Sequence, residues 1–498
     1  MQGKRLACAG LVVGAAAVLL GCGPQSEGVG AEGVHSGVPA ARPPRPVLGQ
    51  GRLDPFLDDL QRRTFRFFWE TTDPATGLAP DRWPTESFSS VAAIGFALTA
   101  YPIGIERRWI TREEGRERVL TTLNFLAGLP QGPEVSGVAG YRGFFYHFLN
   151  MADGTRFGQV ELSTVDTALL LAGVLTVGQY FSQEHPDEES IRRLGDFLYR
   201  RVEWSWITPR PPVIAMGWYP ERSAEPGGGF HHLDWYGYDE AMLLYILALG
   251  SPTFPVAPEA WAAYTSTYRW GSFFGFEHVG FAPLFGHFFS HAWIDFRGIH
   301  DGYMGGKGID YFENSRRAVL AQCAYGEANP GGYVGYGADE WGLSACDGPA
   351  DVTRFFRGRP VRFFSYAARG ASHTEVRDDG TITPYAAAAS IPFAPEVAIP
   401  AVKAMYRRHG AHVWGRYGFF DAFNRSFTFT DVQLVHGRIV PSFGWVDTDY
   451  LGIDQGPILV MLENYRSGLV WELMRSCPYV VEGLRRAGFR GGWLEGAT

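Results

Sequence analysis

Residues 287–349 combine carboxylates, aromatic rings, His, Arg and Gly, with little apolar periodicity apart from one short helix. A stretch this irregular inside a compact domain must be held in place by its own packing. Long ordered loops of this kind are usually functional. Aromatic rings stack on the C–H faces of a sugar, while carboxylate, amide and guanidinium groups bind its hydroxyls. The composition of this stretch therefore predicts a carbohydrate-binding cleft.

Seven side chains of this stretch are predicted to contact a sugar. They are His287, His291, Asp295, Arg297, Asp301, Arg316 and Trp341. Trp341 suits a stacking platform, although an aromatic residue in a Gly-rich loop packs against that loop nearly as often. The arginines and Asp301 could orient substrate or form ion pairs that fix the loop. His287 and His291 are four residues apart, but without an HExxH glutamate or a third ligand, hydrogen bonding to sugar or to Asp295 is favoured over zinc.

Five more acids lie where helices are predicted to begin. They are Glu161, Asp166, Asp239, Glu240 and Asp454. Ser163 can cap one of these helices with Asp166 three residues later, as in a capping box, while Asp239 and Asp454 can cap two others. An acid at a helix N-terminus satisfies free N–H groups and complements the helix dipole, which contributes about 1 kcal/mol or less. Asp166, Asp239 and Asp454 therefore have a structural role available, and they are also candidates for substrate contact.

Glu161 and Glu240 are the predicted catalytic pair, because neither is needed as a cap once its neighbours serve. A helix N-terminus lowers the pKa of a nearby carboxyl group. A general acid in this position must therefore be buried against aromatic rings such as Trp235 or Tyr236 to stay protonated near neutral pH. Trp235 is also a predicted substrate contact.

Apolar residues recur at helical spacing through most of the chain, which predicts roughly a dozen helices. The clearest cover residues 56–68, 91–101, 111–129, 164–181, 188–202, 239–249, 258–268, 311–325, 395–409 and 454–474. No βαβ alternation or Gly-rich phosphate loop occurs, which argues against a nucleotide-binding fold. Consecutive helices are separated alternately by short links and long Gly- and aromatic-rich loops. This pattern favours an all-α toroid whose long loops form one active-site funnel.

Composition narrows the class of ligand. The chain has 498 residues, of which 46% are hydrophobic and 19% charged, so it can bury a large core. Its formal net charge of −8 argues against nucleic acid or a polyanionic glycan as the main ligand, since those favour basic clefts. A neutral oligo- or polysaccharide fits better.

The first residues are predicted to direct export. Lys4 and Arg5 precede an apolar run at residues 6–20 that is too short for a spanning helix and ends in Leu-Leu-Gly-Cys at Cys22. Residues 1–22 resemble a bacterial lipoprotein signal with Cys22 as the lipidated N-terminus, and an ordinary secretory signal is the alternative. Residues 23–52, rich in Gly, Pro, Ala and Ser, are predicted to be a flexible tether. It would hold residues 53–498, one catalytic domain, at a membrane of the bacterial cell envelope.

Three Cys remain once Cys8 and Cys22 are assigned to the signal and the lipid, namely Cys323, Cys346 and Cys477. A disulfide between Cys323 and Cys346 is compatible with an oxidising envelope. The odd number of thiols leaves the pairing open.

Several blocks of the chain, in fixed order, resemble one known family. The blocks read WYGYDEAMLLYILALGSPT, PLFGHFFSHAWIDFRG, DYFENSRRAVLAQ, GYGADEWGLSACDGP and GIDQGPILVMLENYRSGLVW. They are similar to the bacterial glucoamylase-like proteins that contain the endo-β-1,2-glucanases, glycoside hydrolase family 144. The resemblance implies an (α/α)6 barrel that hydrolyses β-1,2-glucan with inversion of configuration. It also implies that the family's acidic candidates correspond to Glu161 and Glu240.

Hydrolysis by two carboxyl groups is the predicted reaction. Glu240 would protonate the leaving oxygen and Glu161 would help to activate the attacking water, although the two roles could be exchanged. Inversion predicts roughly 6.5–9.5 Å between the two carboxyls, and retention roughly 5–5.5 Å. No metal or organic cofactor is predicted. Two other classes remain: a polysaccharide lyase on an α/α toroid, which the net acidity disfavours, and a non-catalytic glycan-binding lipoprotein.

Overall fold

Fifteen α-helices dominate the computed structural model, which describes residues 53–497. They are α1 (Pro55–Thr71), α2 (Val91–Glu106), α3 (Arg112–Gly128), α4 (Thr164–Tyr180), α5 (Pro186–Arg200), α6 (Met242–Gly250), α7 (Glu259–Thr265), α8 (Phe285–Trp293), α9 (Gly302–Lys307), α10 (Tyr311–Ala328), α11 (Pro384–Ala389), α12 (Pro395–Val413), α13 (Gly452–Arg466), α14 (Leu469–Arg475) and α15 (Pro478–Arg486). None of these helices is both long and apolar enough to cross a membrane. The predicted signal, the lipidation site Cys22 and the tether lie outside the described residues.

The strands are short and occur in the connections between helices. They are β1 (Arg82–Trp83), β2 (Ser89–Ser90), β3 (Gly140–Tyr141), β4 (Phe144–Phe145), β5 (Phe148–Leu149), β6 (Leu162–Ser163), β7 (Gly217–Trp218), β8 (Trp270–Phe273), β9 (Phe276–Val279), β10 (Ala345–Cys346), β11 (Val352–Phe356), β12 (Arg359–Phe363), β13 (Ala367–Ala368), β14 (Gly370–Ala371), β15 (Val376–Arg377), β16 (Trp414–Gly415), β17 (Gly418–Phe419), β18 (Phe423–Asn424), β19 (Arg438–Val440), β20 (Gly444–Val446) and β21 (Tyr450–Leu451). Within residues 53–497 they form antiparallel sheets of two or three strands, the largest in the order β18-β20-β19.

Six helices, α2, α4, α6, α8, α11 and α13, form an inner ring in which nearly every residue is buried. A helix that is apolar on all faces, such as α6 with the sequence MLLYILALG, must be covered on all sides. Successive members contact one another from α2 through α4 and α6 to α8, and from α11 through α13 back to α2. The ring of Phe288 on α8 lies 5.8 Å from that of Tyr385 on α11, which closes the circle.

The remaining long helices pack outside this ring. Helices α1, α3 and α5 cover α2, α4 and α13, whereas α15 packs on α6, α10 on α8 and α12 on α11. Helix α5 is amphipathic, with Ile191, Leu198 and Tyr199 buried toward its neighbours and its charged residues mostly facing outward. The arrangement of inner and outer helices confirms the predicted all-α (α/α)6 toroid.

The structure differs from the predicted elements at three places. The single helix predicted at residues 454–474 is two helices, because Gly468 adopts a left-handed conformation with φ of 75° between α13 and α14. Helix α6 begins at Met242 rather than at Asp239. Helices α8, α9 and α10 occupy about half of residues 287–349, for which the sequence predicts one short helix. Helix α8 is buried although it contains His and Ser residues, so its sequence does not show the apolar pattern of an inner helix.

Inner helices α2 and α4 touch through their backbones. A Cβ atom added to Gly173 would lie 2.1 Å from the Gly95 carbonyl oxygen, and one added to Gly95 would lie 2.3 Å from the Leu169 carbonyl oxygen. Because both obstacles are backbone atoms, a methyl group at either position must force the helices apart.

Replacing Gly173 with Ala is expected to lower the free energy of unfolding by about 1–3 kcal/mol, since the methyl group overpacks the α2–α4 contact. Gly178→Ala is the matched control, because it lies on the same helix with no atom within 4 Å of the added Cβ. The control should be neutral or stabilising by up to about 1 kcal/mol. Urea denaturation of the two variants tests this, and equal stability would contradict a close α2–α4 contact.

Candidate active site

Five inner helices begin at one cavity. Its lining includes Ser163 and Glu240 immediately before α4 and α6, and Phe285, Tyr385 and Asp454 in the first turns of α8, α11 and α13. A helix N-terminus carries partial positive charge, so this convergence favours acidic groups in the cavity. The toroid therefore collects at one place side chains that are far apart in the sequence.

Five of the residues predicted from sequence line this cavity together. They are Glu161, Asp166, Trp235, Glu240 and Asp454. All five are buried, although each reaches the cavity surface. The predicted catalytic pair is thus brought into a single site, with Trp235 in its wall.

The side chain of Glu161 is held by His147. The N–H of His147 donates to the Glu161 carbonyl oxygen at 3.0 Å, and its ring Nδ1 lies 2.8 Å from Glu161 Oε1. The opposite ring nitrogen, Nε2, lies 3.5 Å from Asp166 Oδ2. The imidazole therefore bridges two buried carboxyls. The sequence does not single out His147, because it lies among aromatic residues and no motif spacing links it to the acids.

The protonation states within this trio follow from its contacts. Burial lowers the pKa of His147, but the carboxylates of Asp166 and Glu161 outweigh burial and raise the pKa to about 9. Burial raises the pKa of Glu161, but the imidazolium of His147 outweighs it and holds the pKa below its usual value. Glu161 is therefore ionised at neutral pH.

Ser163 and Asp166 form the predicted start of α4. The Asp166 N–H donates to Ser163 Oγ at 3.3 Å, and the Ser163 hydroxyl donates to Asp166 Oδ2 at 2.5 Å. Burial raises the pKa of Asp166, against the opposing effect of His147. Ser163 is thus the cap, as predicted, and Asp166 is oriented toward His147.

Glu240 lies in a very different environment from Glu161. Burial raises its pKa well above the usual value, and the negative charges of Asp239 and Asp166 add to the shift. Its Oε2 atom is buried and accepts no hydrogen bond from residues 53–497. Trp235 is buried beside the same cavity as predicted, whereas Tyr236 is 52% exposed. Glu240 is therefore a protonated acid near neutral pH.

Asp239 supports this assignment. Its Oδ1 accepts from the Ala241 N–H at 2.9 Å and from the Tyr264 hydroxyl at 2.7 Å. Burial nevertheless raises its pKa to about 7. Two adjacent buried carboxyls resist ionising together, so the ionisation of Asp239 helps to keep Glu240 neutral. The N-cap of α6 is Ala241, so Asp239 binds the turn before the helix rather than capping it.

Asp454 also lies in the first turn of its helix rather than at the cap. The N-cap of α13 is Leu451, and its side chain makes no capping hydrogen bond. Asp454 is buried in the cavity lining, where its carboxyl is hydrogen-bonded to Asp421 and Tyr385. Burial raises its pKa to about 8.

The two histidines that were predicted to contact sugar lie in the core instead of the cavity. Nε2 of His287 lies 3.1 Å from the Phe281 carbonyl oxygen, and Nε2 of His291 lies 3.1 Å from Ser315 Oγ. Burial lowers the pKa of each to about 3, so both rings are neutral. Their hydrogen bonds go to protein groups other than Asp295, and both side chains belong to the packing of α8.

The charged residues predicted to contact sugar outside the cavity make structural contacts. Arg297 forms a bidentate pair with Asp295, which also binds Arg475. Asp301 caps α9 through the Met304 N–H at 2.8 Å and accepts from Trp261 and Tyr311. Arg316 donates to the Phe393 carbonyl oxygen at 2.8 Å and pairs with Glu396. The sequence left two roles open for Arg297, Asp301 and Arg316, namely orienting substrate or fixing the loops. Their contacts agree with the second role.

Trp341 and the cysteines also differ from the predicted roles. Trp341 is 1% exposed and packs in the main core, so it offers no stacking surface to a sugar. Cys323 and Cys346 are buried free thiols, and the disulfide considered for them does not form. Cys477 is a buried free thiol as well.

The sequence is similar to one family model and to one characterised enzyme. A family model described as "Putative glucoamylase" matches residues 232–478. An exo β-1,2-glucooligosaccharide sophorohydrolase of Parabacteroides distasonis is 32% identical over an alignment of 463 residues that covers 86% of this chain. The chain spans 57% of the length of that relative.

Solved structures extend the similarity to the fold. A crystal structure of a "putative glucoamylase" from Bacteroides uniformis is 32% identical, with a TM-score of 0.74 over 88% of this chain and 97% of that one. An endo-β-1,2-glucanase from Chitinophaga pinensis, in complex with sophorotriose and glucose, is 30% identical. It matches with a TM-score of 0.73 over 88% of this chain and 98% of that one.

Proposed function

Because this chain belongs to the glucoamylase-like family that includes the β-1,2-glucanases of glycoside hydrolase family 144, we propose that it is a glycoside hydrolase that cleaves β-1,2-glucan. The observation that carries the proposal is a cavity lined by two carboxyls in opposite environments: Glu161 lies 2.8 Å from the His147 ring, and Glu240 is buried with Oε2 unpartnered among the described residues. The first environment lowers the pKa of Glu161 and the second raises that of Glu240. General acid–base hydrolysis of a glycosidic bond needs one group of each kind.

In the proposed mechanism Glu240 donates its proton to the glycosidic oxygen as the bond to the anomeric carbon breaks. Glu161 accepts a proton from the attacking water, directly or through a substrate hydroxyl, and the product sugar has the inverted anomeric configuration. His147 is a positioning residue, because its imidazolium holds Glu161 in place and ionised. Trp235 supplies an aromatic wall beside the acid.

The geometry supports hydrolysis over the two alternatives. A lyase needs cationic side chains to bind a uronic carboxylate, and no Lys or Arg of the described residues lines this cavity. A binding protein needs stacking and hydrogen-bonding groups. It does not require a buried acid with a raised pKa in the same cavity as an ionised carboxylate.

The product assay tests the proposed function. The protein is incubated with linear β-1,2-, β-1,3- and β-1,4-glucans and with a uronic polymer, while reducing ends and unsaturated products are followed. We expect new reducing ends from β-1,2-glucan alone, and proton NMR of the first product should show the α-anomer. Unsaturated products from the uronic polymer would contradict hydrolysis in favour of a lyase.

Glu240→Gln is expected to lower kcat on β-1,2-glucan by about 10²–10⁴-fold, because the amide cannot donate the proton that the leaving oxygen needs. Binding of the glucan, measured by isothermal titration calorimetry, should persist. Glu259→Gln on the exposed side of α7 is the control and should keep full activity. Unchanged turnover in Glu240→Gln would exclude Glu240 as the general acid.

The pH profile follows from the two carboxyls. Activity should fall as pH drops through the depressed pKa of Glu161, which loses the base, and as pH rises through the elevated pKa of Glu240, which loses the acid. His147→Gln removes the cation beside Glu161, so the acidic limb of kcat/KM should move to higher pH. His412→Gln, on the outer helix α12, is the control and should leave the profile in place. An unmoved acidic limb in His147→Gln would show that His147 does not set the ionisation of Glu161.

We also propose that the protein is anchored to a membrane of the bacterial cell envelope through a lipid on Cys22. The basic residues Lys4 and Arg5, the short apolar run and the Leu-Leu-Gly-Cys ending support this proposal. Labelling with radioactive palmitate in a bacterial host should mark the full chain and fail in Cys22→Ser. Equal labelling of both would contradict lipidation at Cys22.

A further inference from the structure

Three buried aspartates form a cluster behind the wall of the cavity. Asp347 directly follows β10, Asp421 lies between β17 and β18, and Asp447 directly follows β20. One ligand oxygen from each lies within 4.8 Å of the others. Each side chain is at least nine-tenths buried. The sequence does not predict this cluster, because its members come from three separate connections and share no spacing.

Each carboxyl accepts hydrogen bonds from N–H groups through one of its oxygens. Asp347 Oδ2 accepts from Arg82 Nη1 at 2.7 Å, and Asp421 Oδ2 accepts from the Asp347 N–H at 2.7 Å. Asp447 Oδ1 accepts from the N–H groups of Thr448 and Asp449. Three second oxygens are buried and accept no hydrogen bond from an N–H or hydroxyl group of the described residues: Asp347 Oδ1, Asp421 Oδ1 and Asp447 Oδ2. The Asp421 carboxyl also forms a hydrogen bond with the carboxyl of Asp454. A buried carboxylate oxygen without a donor is costly unless another ligand binds it.

Nearby positive charge is too small to balance the cluster. The guanidinium of Arg82 lies within 4 Å of the carboxylates of Asp81, Asp347 and Asp449. Within residues 53–497, no Lys or Arg side chain forms an ion pair with Asp421 or Asp447. The ring nitrogen Nε2 of His436 lies 3.6 Å from Asp347 Oδ1, beyond hydrogen-bond distance. Asp454, which also lies nearby, adds a further acid.

We propose that Asp347, Asp421 and Asp447 bind a calcium ion through their carboxylate oxygens. Calcium binds six to eight oxygens at about 2.3–2.6 Å, so two oxygens on one ion lie at most roughly 5 Å apart, and one oxygen of each aspartate lies within that distance of the others. The remaining ligands would be backbone carbonyls or water. Magnesium fits less well, because it needs a tighter octahedron at about 2.0–2.1 Å and is seldom held by protein carboxylates alone.

The ion would connect three separate segments of the chain behind the cavity wall. β18 and β20 are paired in one sheet, whereas β10 pairs with β13 in another, so the ion would join two sheets that share no strand. Asp421 adjoins Asp454, which lines the cavity at the start of α13. A calcium ion here would therefore have a structural role and would hold the loops beside the candidate active site.

Calcium analysis and thermal unfolding of the purified full chain test the site. The protein is treated with EGTA and dialysed, and bound calcium is then measured by mass spectrometry after addition of CaCl2 or MgCl2. We expect about one calcium per chain, and a melting temperature roughly 2–5 °C higher with CaCl2 than with EGTA. MgCl2 should have a smaller effect.

Asp447→Asn separates a calcium site from an unoccupied acidic cluster. The isosteric amide should abolish both calcium retention and the calcium-dependent melting shift. In EGTA its melting temperature should equal or exceed that of the original protein, because one buried negative charge is gone. Asp421→Asn is a second variant with the same expected result if the first does not fold. Asp351→Asn, an exposed residue four positions after Asp347, is the control and should keep the full calcium response.

Two results would overturn the proposal. One is the absence of retained calcium and of any melting shift between CaCl2 and EGTA, which would mean that the aspartates share protons instead. The other is an unchanged calcium response in both Asp447→Asn and Asp421→Asn, which would place the ion elsewhere. These measurements do not depend on glycan hydrolysis, so they test the calcium site independently of the proposed activity.

Discussion

The contact between the His147 imidazolium and the Glu161 carboxylate determines the chemistry of the cavity. A carboxyl buried without a partner takes up a proton, because an isolated charge is very unfavourable in a low-dielectric interior. Glu161 stays ionised only because His147 lies beside it. Glu240 has no such partner and stays neutral. One cavity therefore holds both a base and an acid, although both residues are of the same type.

The toroid explains why these groups meet. Inner helices in a ring direct their first turns toward one end, where their N-terminal dipoles favour negative charge and their free N–H groups can donate hydrogen bonds to oxygen atoms. The backbone contact between Gly95 and Gly173 keeps α2 and α4 close. Because the ring is packed this tightly, the acids of the candidate active site lie at its open end.

The buried acids in and around the cavity fall into three groups. Glu161 and Asp166 share an imidazolium, while Asp239 and Glu240 limit each other's ionisation. The aspartates around Arg82 have an arginine and, on our inference, a calcium ion. The first two arrangements face the cavity and leave protons that can be transferred. The third lies behind the wall, where neutralising charge fixes loops in place.

The sequence by itself determined the helical periodicity, the cap at Ser163 and the candidate acids, because these depend on neighbours within a few residues along the chain. It therefore predicted the all-α toroid, the Ser163 cap and the pairing of Glu161 with Glu240 in one site. Only the tertiary structure decided which polar residues reach the cavity. The charged and aromatic residues between His287 and Trp341 have the composition of a sugar site. In the structure, however, the aromatic rings are buried by packing and the arginines form ion pairs with acids of the protein. His147 and the aspartate cluster show the converse, because their partners lie on other segments and ionisation inside a protein depends on what lies nearby in space.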